Sequence, residues 1–273
     1  MTTSSDLSDI SKTIVLVGAG KMGAAILQGW LARGLAPAHV AVIEPQPGDG
    51  IKALKVSINP ATTPTDAGAI VIAVKPQAAG DVVPPLAKMA GASTVAVSIM
   101  AGKTLGFLES ALPNTAVVRA MPNTPAAIGR GITVAVPNAR VSDAQRALAH
   151  RLLAATGTVE WISDEKLMDA VTAVSGSGPA YVFLLAESLT RAGIAAGLPS
   201  DLAAKLARET VAGSGELLHL SSLDPATLRQ NVTSPGGTTA AALEVLMDAA
   251  NGLDPLLARA IAAAAKRSRD LAG

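Results

Sequence analysis

The first part of the chain alternates short apolar runs with longer segments of helical spacing. The apolar runs are typical of β-strands and span residues 13–17, 40–43, 69–74, 94–98, 117–120, 132–136 and 159–162. Helical segments lie between several of them, at residues 24–33, 77–88, 104–111 and 143–155. The runs are continuously apolar, as expected when helices cover both faces of a sheet. The pattern therefore predicts an α/β fold with a mostly parallel, doubly wound sheet.

After about Lys166 the strand pattern stops and only helical spacing remains. The predicted helices span residues 167–195, 200–220, 225–229, 238–250 and 255–271, and prolines mark several of their starts or breaks. These segments are rich in Ala and Leu, a composition that permits close helix packing, including packing between subunits. We therefore expect a flexible polar tail over residues 1–12, a sheet domain over 13–165 and an all-helical domain over 166–273.

Composition excludes several classes of protein. The chain has no cysteine, which removes disulfides, thiolate zinc sites and a cysteine nucleophile together. Its net charge of +1 gives no support to nucleic-acid binding through a basic face. No apolar stretch reaches the roughly 18 residues that a membrane helix needs, and the polar start does not resemble a secretory signal. We expect a cytoplasmic protein with neither nucleic-acid nor membrane partners.

A glycine-rich turn follows the first predicted strand and opens the first predicted helix. Residues 18–23 read Gly-Ala-Gly-Lys-Met-Gly, and this context favours a dinucleotide-binding turn over an ordinary glycine turn. Gly18 would permit the tight turn, Gly20 would let the backbone approach the pyrophosphate, and Gly23 would let helix and strand pack closely. The free N–H groups and the dipole at the helix N-terminus would then face the phosphates.

The end of the second predicted strand bears on the choice of cofactor. An acidic residue there usually hydrogen-bonds the ribose of NAD, whereas a nearby arginine accommodates the 2′-phosphate of NADP. Glu44 occupies that place, and residues 46–49 include no arginine. This favours NADH over NADPH, although Lys52 or Lys55 could reach a 2′-phosphate, which leaves NADPH open.

Further segments combine glycine or proline with polar side chains. Lys75 follows the strand ending before Pro76 and is either solvated or part of a cofactor trough. Residues 175–181 read Ser-Gly-Ser-Gly-Pro-Ala-Tyr, so a packed helix, a second subunit or a ligand must approach that backbone closely. Residues 231–239 read Asn-Val-Thr-Ser-Pro-Gly-Gly-Thr-Thr, which favours an anion-binding nest over a merely capped helix start.

Other catalytic classes find no motif in the chain. The histidines, His39, His150 and His219, are far apart and lie in no spaced metal motif. No Gly-x-Ser-x-Gly elbow and no Walker loop is present. The sequence therefore favours neither a hydrolase nor a kinase, and predicts no metal site.

Taken in chain order, several segments resemble the landmarks of the pyrroline-5-carboxylate reductase family. They are residues 18–23, 74–76, 121–125, 167–172, 175–181 and 232–239. Many dehydrogenases share the glycine turn, whereas Ser-Pro-Gly-Gly-Thr-Thr placed after Ser-Gly-Ser-Gly-Pro-Ala-Tyr is far more specific. The resemblance covers about residues 13–271. It implies an N-terminal Rossmann domain and a helical dimerisation and substrate domain.

The resemblance also implies a reaction and an assembly. The family reduces the C=N bond of 1-pyrroline-5-carboxylate with NADPH or NADH and gives L-proline, the last step of proline biosynthesis. Its helical domain pairs with that of a second subunit, and the homodimers often assemble further into a decamer. Because a protonated imine is already electrophilic, the protein must mainly position two rings and hold a carboxylate. We therefore expect no dedicated histidine or lysine acid.

Site residues follow from the resemblance by position. The residues expected to contact the cofactor, besides Glu44, are Gly18, Ala19, Gly20, Lys21, Met22, Asn59, Ala73, Val74, Lys75, Pro76, Ala101 and Asn231. The residues expected to contact the substrate are Gly236, Gly237, Thr238, Thr239 and Glu165. Thr239, whose hydroxyl would hydrogen-bond the imine nitrogen, and the nearby Ser234 are the expected catalytic side chains.

Two other functions stay open from the sequence. One is another two-domain imine or hydroxy-acid reductase with the same glycine turn. Hydroxy-acid enzymes usually rely on a helix lysine near the substrate, and none of Lys166, Lys205 and Lys266 follows a glycine-rich loop. The other is a non-catalytic cofactor-binding homologue, because fold alone does not fix function.

Overall fold

The computed structural model describes residues 6–272, and residues 1–5 and 273 lie outside the described part. The chain divides into two compact units. The sheet unit comprises the chain up to Gly176 together with the stretch that begins at Ala265. The helical unit comprises Ser177–Ala264.

The sheet unit is built on eight strands in the order β3-β2-β1-β4-β5-β6-β7-β8. The strands are β1 Ile14–Val17, β2 Val40–Ile43, β3 Ser57–Ile58, β4 Ala69–Ile72, β5 Val95–Ser98, β6 Ala116–Met121, β7 Gly131–Pro137 and β8 Gly157–Trp161. Neighbouring strands are parallel except for β6 and β7, which are antiparallel. The predicted mostly parallel sheet is confirmed, and the strand order reverses between β1 and β4.

Alternate residues of the strands fill two apolar cores, one on each face of the sheet. In β1, Leu16 belongs to the first core and Val17 to the second. In β4, Val71 and Ile72 divide between the two cores in the same way. The fully buried Trp30 completes the first core, and its indole N–H donates to the carbonyl of Leu152 at 2.9 Å. Burial on both faces explains why the strands are continuously apolar.

Three helices of the sheet unit match the predicted segments to within three residues, and one is much shorter than predicted. The helices of this unit are α1 Lys21–Ala32, α2 Asp49–Lys52, α3 Ala79–Val82, α4 Leu105–Ala111, α5 Asp143–Ala154 and α6 Met168–Val171. The helix expected over residues 77–88 is wrong in extent, because 3₁₀ turns at Pro76–Ala78 and Pro84–Met89 flank the short α3. Pro84 and Pro85 lack the N–H that would continue an α-helix there.

The long helix expected over residues 167–195 is also interrupted. A π-helical segment, Thr172–Gly176, follows α6, and a new helix, α7, spans Gly178–Ala195. Glycine has a low helix propensity, and proline is suited to the first turn of a helix rather than its interior. Gly176, Gly178 and Pro179 therefore end one helix and start the next.

The flexible tail expected over residues 1–12 is corrected for its described part. Leu7 is fully buried in the first core, and its N–H donates to the carbonyl of Arg33 at 2.8 Å. Arg151 donates to the carboxylate of Asp9 and to the carbonyl of Asp6. Hydrogen bonding to Arg151 holds the pKa of the Asp9 carboxyl below its ordinary value. Two apolar side chains in a polar run, Leu7 and Ile10, thus anchor the segment.

The helical unit contains α7 and the further helices α8 Ser200–Leu220, α9 Pro225–Asn231 and α10 Thr238–Leu246, and α11 Leu253–Ala272 begins in it. A side chain at Gly193 would lie 3.3 Å from the Cβ of Ala203, so α7 and α8 pack closely there. Among the described residues of this unit, Ala203 and Ala207 are the only buried apolar side chains. Such a unit leaves much apolar surface for a partner.

Membrane insertion finds no support among the described helices. Over residues 6–272, none of them is both long and apolar enough to cross a bilayer.

Candidate active site

The glycine turn after β1 is shaped by close backbone approach. Gly18 has φ +90°, and a Cβ on it would lie 2.7 Å from the carbonyl oxygen of Ala73 at the end of β4. A Cβ on Gly23 would lie 2.2 Å from the carbonyl oxygen of Gly18. Real Cβ atoms do not approach so closely, so both positions require glycine. The turn therefore lies against β4, where the strand order reverses and such sheets bind their ligands.

Gly20 differs from Gly18 and Gly23 because the space at its Cβ position is empty in the described chain. A Cβ at this position would have no heavy atom within 4 Å among the described residues. Gly20 is the N-cap of α1, which within the described chain has neither a side-chain cap nor an acidic residue in its first turn. The N–H groups of Lys21 and Met22 therefore begin a helix whose positive end is open to an anion such as a pyrophosphate. These residues fit a bound dinucleotide.

Glu44 lies after β2 and is fixed by hydrogen bonds. Its Oε2 accepts the N–H of Ala19 at 2.8 Å, and its Oε1 accepts the N–H of Gln46 at 3.0 Å. Asn59 has φ +46°; its Oδ1 accepts the N–H of Glu44 at 2.9 Å, and its Nδ2 donates to the Glu44 carbonyl at 2.8 Å. The structure thus brings Glu44 and Asn59 together with the glycine turn, and a cofactor contact by either residue stays a prediction.

The end of β4 forms the neighbouring wall. The N–H of Ala73 donates to the carbonyl of Val17 at 2.7 Å, which continues the pairing with β1. Val74 is half-buried, Lys75 is exposed, and Pro76 opens a 3₁₀ turn. The strand has ended before Pro76, and Lys75 lies exposed beyond its carboxyl end. A place for Lys75 in the cofactor trough stays a prediction.

The loop between β5 and α4 reaches the same edge. Ala101 is exposed, and Gly102 has φ +74° with the carbonyl oxygen of Leu271 3.5 Å from its Cβ position. The loop begins at Ile99, whose N–H donates to the carbonyl of Ile72 at 3.0 Å. The structure therefore gathers the turns after β1, β2, β4 and β5 at one edge of the sheet, and these turns carry all the predicted cofactor residues except Asn59, which follows β3, and Asn231.

A buried charge that the sequence analysis missed lies behind this loop. Arg119 of β6 is 5% exposed, and its Nη1 donates to Oε1 of Glu165 at 2.7 Å. The same carboxylate oxygen accepts the N–H of Leu105 at 2.7 Å. The sequence feature that could have indicated this buried charge is the arginine inside the otherwise apolar run of β6. Glu165, expected near the substrate, is thus engaged by Arg119 and Leu105, and a substrate contact stays a prediction.

The predicted anion-binding loop lies in the helical unit. Asp224 caps α9, and hydrogen bonding from Thr227 lowers the pKa of its carboxyl. Asn231, exposed, is the last residue of α9. The N–H of Gly237 donates to the carbonyl of Ser234 at 3.0 Å, which closes the turn before α10.

The start of α10 is suited to an anion. Gly236 has φ +67°, and Gly237 is the N-cap. The described first turn has neither a side-chain cap nor an acidic residue. Thr238 is exposed and Thr239 is half-buried at this end. The backbone N–H groups and hydroxyls can therefore bind a carboxylate.

The glycines of residues 175–181, where a close approach is predicted, differ from one another. Gly176 is approached closely by Met121, whose Cε lies 2.5 Å from its Cβ position, whereas Gly178 has nothing within 4 Å among the described residues. No group of His, Asp and Glu side chains in residues 6–272 could hold a metal ion.

The fold and the site define a class before any relative is considered. A parallel sheet with a glycine turn at its switch point, an open helix N-terminus and an acidic residue after β2 is typical of nicotinamide-dependent oxidoreductases. Residues 13–102 match the family described as NADP oxidoreductase, coenzyme F420-dependent. Residues 165–271 match the family described as pyrroline-5-carboxylate reductase dimerisation.

Relatives of nearly full length are more specific. A pyrroline-5-carboxylate reductase of Pseudomonas aeruginosa is 41% identical over 265 residues, covering 95% of this chain and 96% of the relative. One of Synechocystis is 40% identical, covering 94% and 97%. The chain belongs to the pyrroline-5-carboxylate reductase family, and it is an oxidoreductase with a Rossmann domain followed by a helical dimerisation domain.

Solved structures agree with this assignment. A pyrroline-5-carboxylate reductase from Coxiella burnetii has a TM-score of 0.88 and 32% identity, covering 97% of this chain and 100% of that one. Pyrroline carboxylate reductase of Plasmodium falciparum with NADP bound has a TM-score of 0.79 and 29% identity, covering 96% and 99%. The predicted family and fold class are confirmed.

Gly18→Ala and Gly20→Ala should separate folding from cofactor binding. Gly20→Ala should lower the unfolding midpoint only slightly, because alanine is a poorer N-cap than glycine. It should weaken NADH binding, because a bound ligand would meet the new Cβ. Gly18→Ala should destabilise the protein by about 1–2 kcal/mol or more, since a left-handed backbone disfavours a Cβ. Thermal unfolding and NADH calorimetry measure both effects. Gly80→Ala, where the added Cβ meets open space, is the control. Wild-type NADH affinity in Gly20→Ala would contradict the dinucleotide site.

Proposed function

We propose that this chain reduces the C=N bond of 1-pyrroline-5-carboxylate to L-proline, the last step of proline biosynthesis, with NAD(P)H as hydride donor. The observation that supports this most is the loop of residues 234–239, which opens α10 with uncapped N–H groups and hydroxyls. Membership in the pyrroline-5-carboxylate reductase family supports the same reaction. When bound, the nicotinamide supplies the hydride.

In this proposal the cofactor is bound mainly by residues of the sheet unit. The N–H groups at the start of α1 hold the pyrophosphate, and Glu44 accepts hydrogen bonds from the adenosine ribose. Residues 73–76 and Ala101 line the nicotinamide side. Asn59 holds Glu44 in place through its two hydrogen bonds to the Glu44 backbone. Asn231 of the helical unit is proposed as a further cofactor contact.

The residues proposed to bind the substrate lie in the helical unit. We assign the carboxylate of the imine to the N–H groups of Gly236, Gly237 and Thr238 at the start of α10. The hydroxyl of Thr239 is assigned to the ring nitrogen, with Ser234 beside it. Since protonation alone makes the imine carbon electrophilic, holding the ring and its carboxylate is the main task of these residues.

The exposed apolar side chains of the helical unit support an oligomer. Phe183, Leu220 and Val245 are 62%, 72% and 73% exposed, and the described part of the unit has almost no core of its own. Apolar surface of this extent marks an association site. We propose a homodimer formed through these helices, with further assembly into a decamer. Cytoplasmic location, as expected for such a biosynthetic enzyme, is part of the same proposal.

Substrate identity is tested by nicotinamide oxidation. Wild-type protein should oxidise NADH when 1-pyrroline-5-carboxylate is added, and 1-pyrroline, which lacks the carboxylate, should be turned over at least tenfold more slowly. A charge-assisted hydrogen bond contributes about 1.5–3 kcal/mol, which sets this ratio. A 3-oxo acid serves as the control substrate, and its reduction would instead indicate a hydroxy-acid enzyme. Binding of NADH without turnover of any of these would indicate a non-catalytic homologue.

Thr239→Ala tests the hydroxyl at the ring nitrogen. It should lower kcat/KM for the imine about tenfold or more, because a hydrogen bond to a charged group is lost. The Kd of NADH should change little. Thr239→Ser retains the hydroxyl and should recover most of the activity. Unchanged kcat/KM in Thr239→Ala, measured by steady-state kinetics, would remove this role.

The choice between NADH and NADPH is proposed to rest on the charge of Glu44. Its carboxylate is fixed beside the glycine turn, where a 2′-phosphate would meet a like charge. Residues 46–49 offer no arginine, and the nearby Lys52 already pairs with Asp49 at 3.1 Å. These observations support a preference for NADH.

Glu44→Gln tests this preference. Glutamine keeps a hydrogen-bond acceptor but removes the charge, so the ratio of kcat/KM for NADH to that for NADPH should fall about tenfold, as expected when a like-charge contact is relieved. Asp143→Asn removes an exposed carboxylate at the start of α5 and should leave the ratio unchanged. A wild-type preference for NADPH, or an unchanged ratio in Glu44→Gln, would contradict the assignment.

A further inference from the structure

Arg119 is a charged side chain in a strand that is otherwise apolar. It lies between Val118 and Ala120, both buried, and is itself only 5% exposed. Arginine is almost never so buried unless it is paired. Its partner must therefore explain why a charge occupies this strand.

The partner is Glu165, and it joins distant parts of the chain. Glu165 Oε1 accepts from Arg119 Nη1 and from the N–H of Leu105, each at 2.7 Å. We call this set, Arg119, Glu165 and the Leu105 N–H, the Arg119 node. It links the end of β6, the first residue of α4 and the segment that precedes α6. The 2.7 Å Arg–Glu distance is typical of charge-assisted hydrogen bonds, which are the stronger ones.

The Arg119 node fixes one end of the loop of residues 99–104. The other end is fixed by the N–H of Ile99, which donates to the Ile72 carbonyl at 3.0 Å. Thr104 caps α4 by accepting the N–H of Phe107, so the chain direction after the loop is also set. Ala101 therefore lies on a loop that is held at both ends by hydrogen bonds.

We propose that Arg119 and Glu165 are positioning residues that set the loop of residues 99–104 against the nicotinamide ring. This rests on the proposed cofactor placement, in which Ala101 lines the nicotinamide. Arg119 neutralises and orients the carboxylate, and the carboxylate holds the backbone of Leu105. Support of this kind matters because displacement of a reacting group by about 1 Å can cost a hundredfold in rate.

The proposal assigns Glu165 a role that differs from substrate binding. A substrate ligand would change the KM for the imine when it is removed. A positioning residue for the nicotinamide loop would change kcat and the mobility of the loop, and would spare the part of the site that binds adenosine and pyrophosphate.

The test compares Glu165→Ala, Glu165→Gln and Arg119→Met in the full chain. Glutamine keeps an oxygen that accepts the Leu105 N–H, whereas alanine does not. Hydrogen exchange of the Leu105 amide should accelerate in Glu165→Ala and stay close to wild type in Glu165→Gln. In Glu165→Ala and Arg119→Met, kcat should fall about tenfold to a hundredfold, and Glu165→Gln should keep most of what Glu165→Ala loses. The Kd of ADP-ribose, which lacks nicotinamide, should stay within about twofold.

Arg151→Met is the matched control, because it removes another arginine–carboxylate pair of the sheet unit, the one with Asp9. It should lower the unfolding midpoint and leave kcat unchanged. If Arg119→Met does not fold, the comparison of alanine with glutamine at position 165 still decides.

A raised KM for the imine with unchanged kcat in Glu165→Ala would overturn the proposal in favour of a substrate ligand. Equal losses of ADP-ribose and NADH affinity would overturn it in favour of a general structural role, and unchanged exchange at Leu105 would overturn it outright. Absence of imine reduction by the wild type, with the exchange result intact, would contradict the proposed function while supporting the effect of the node on the loop.

Discussion

The contact on which the site depends is that of the glycine turn with the end of β4. The Ala73 carbonyl occupies the space that a side chain on Gly18 would need, and the Gly18 carbonyl occupies that space at Gly23. The backbone of the turn is therefore confined between adjacent strands before any ligand binds. This confinement makes α1 begin at the switch point of the sheet, with its positive end open. Gly20, the one turn glycine without a steric reason in the described chain, is left for the ligand.

Around this contact the neighbouring loops are fixed by hydrogen bonds rather than by apolar packing. Glu44 bonds to the turn through Ala19, and Asn59 bonds to both sides of the Glu44 peptide. Loops at a sheet edge cannot bury enough apolar surface to fix themselves, so polar bonds decide their conformation. In the proposed cofactor placement, the Glu44 carboxylate therefore both supports the glycine turn and sets the charge that the adenosine ribose would meet.

The sequence predicts what the two cores dictate and misses what single polar contacts dictate. Strands buried on both faces are predictable because they form continuous apolar runs. The glycine turn is predictable because its backbone geometry requires glycine. The burial of Leu7, the pairing of Arg119 with Glu165 and the two-residue β3 leave no periodic signal. Each depends on residues far apart in the chain that only the fold brings together. Site residues are therefore predictable by motif, whereas the residues that hold them are not.

In the helical unit the sequence pattern predicts the helices, but these helices bury almost no core among themselves. Close packing of α7 on α8 at Gly193 and Ala203 uses the smallest side chains, and the larger ones, such as Phe183 and Leu220, stay exposed. Its apolar surface can be buried only by a partner. The loop of residues 234–239 is built on these helices. In the proposed enzyme, the helices that carry the substrate-binding loop are therefore also the helices through which subunits associate.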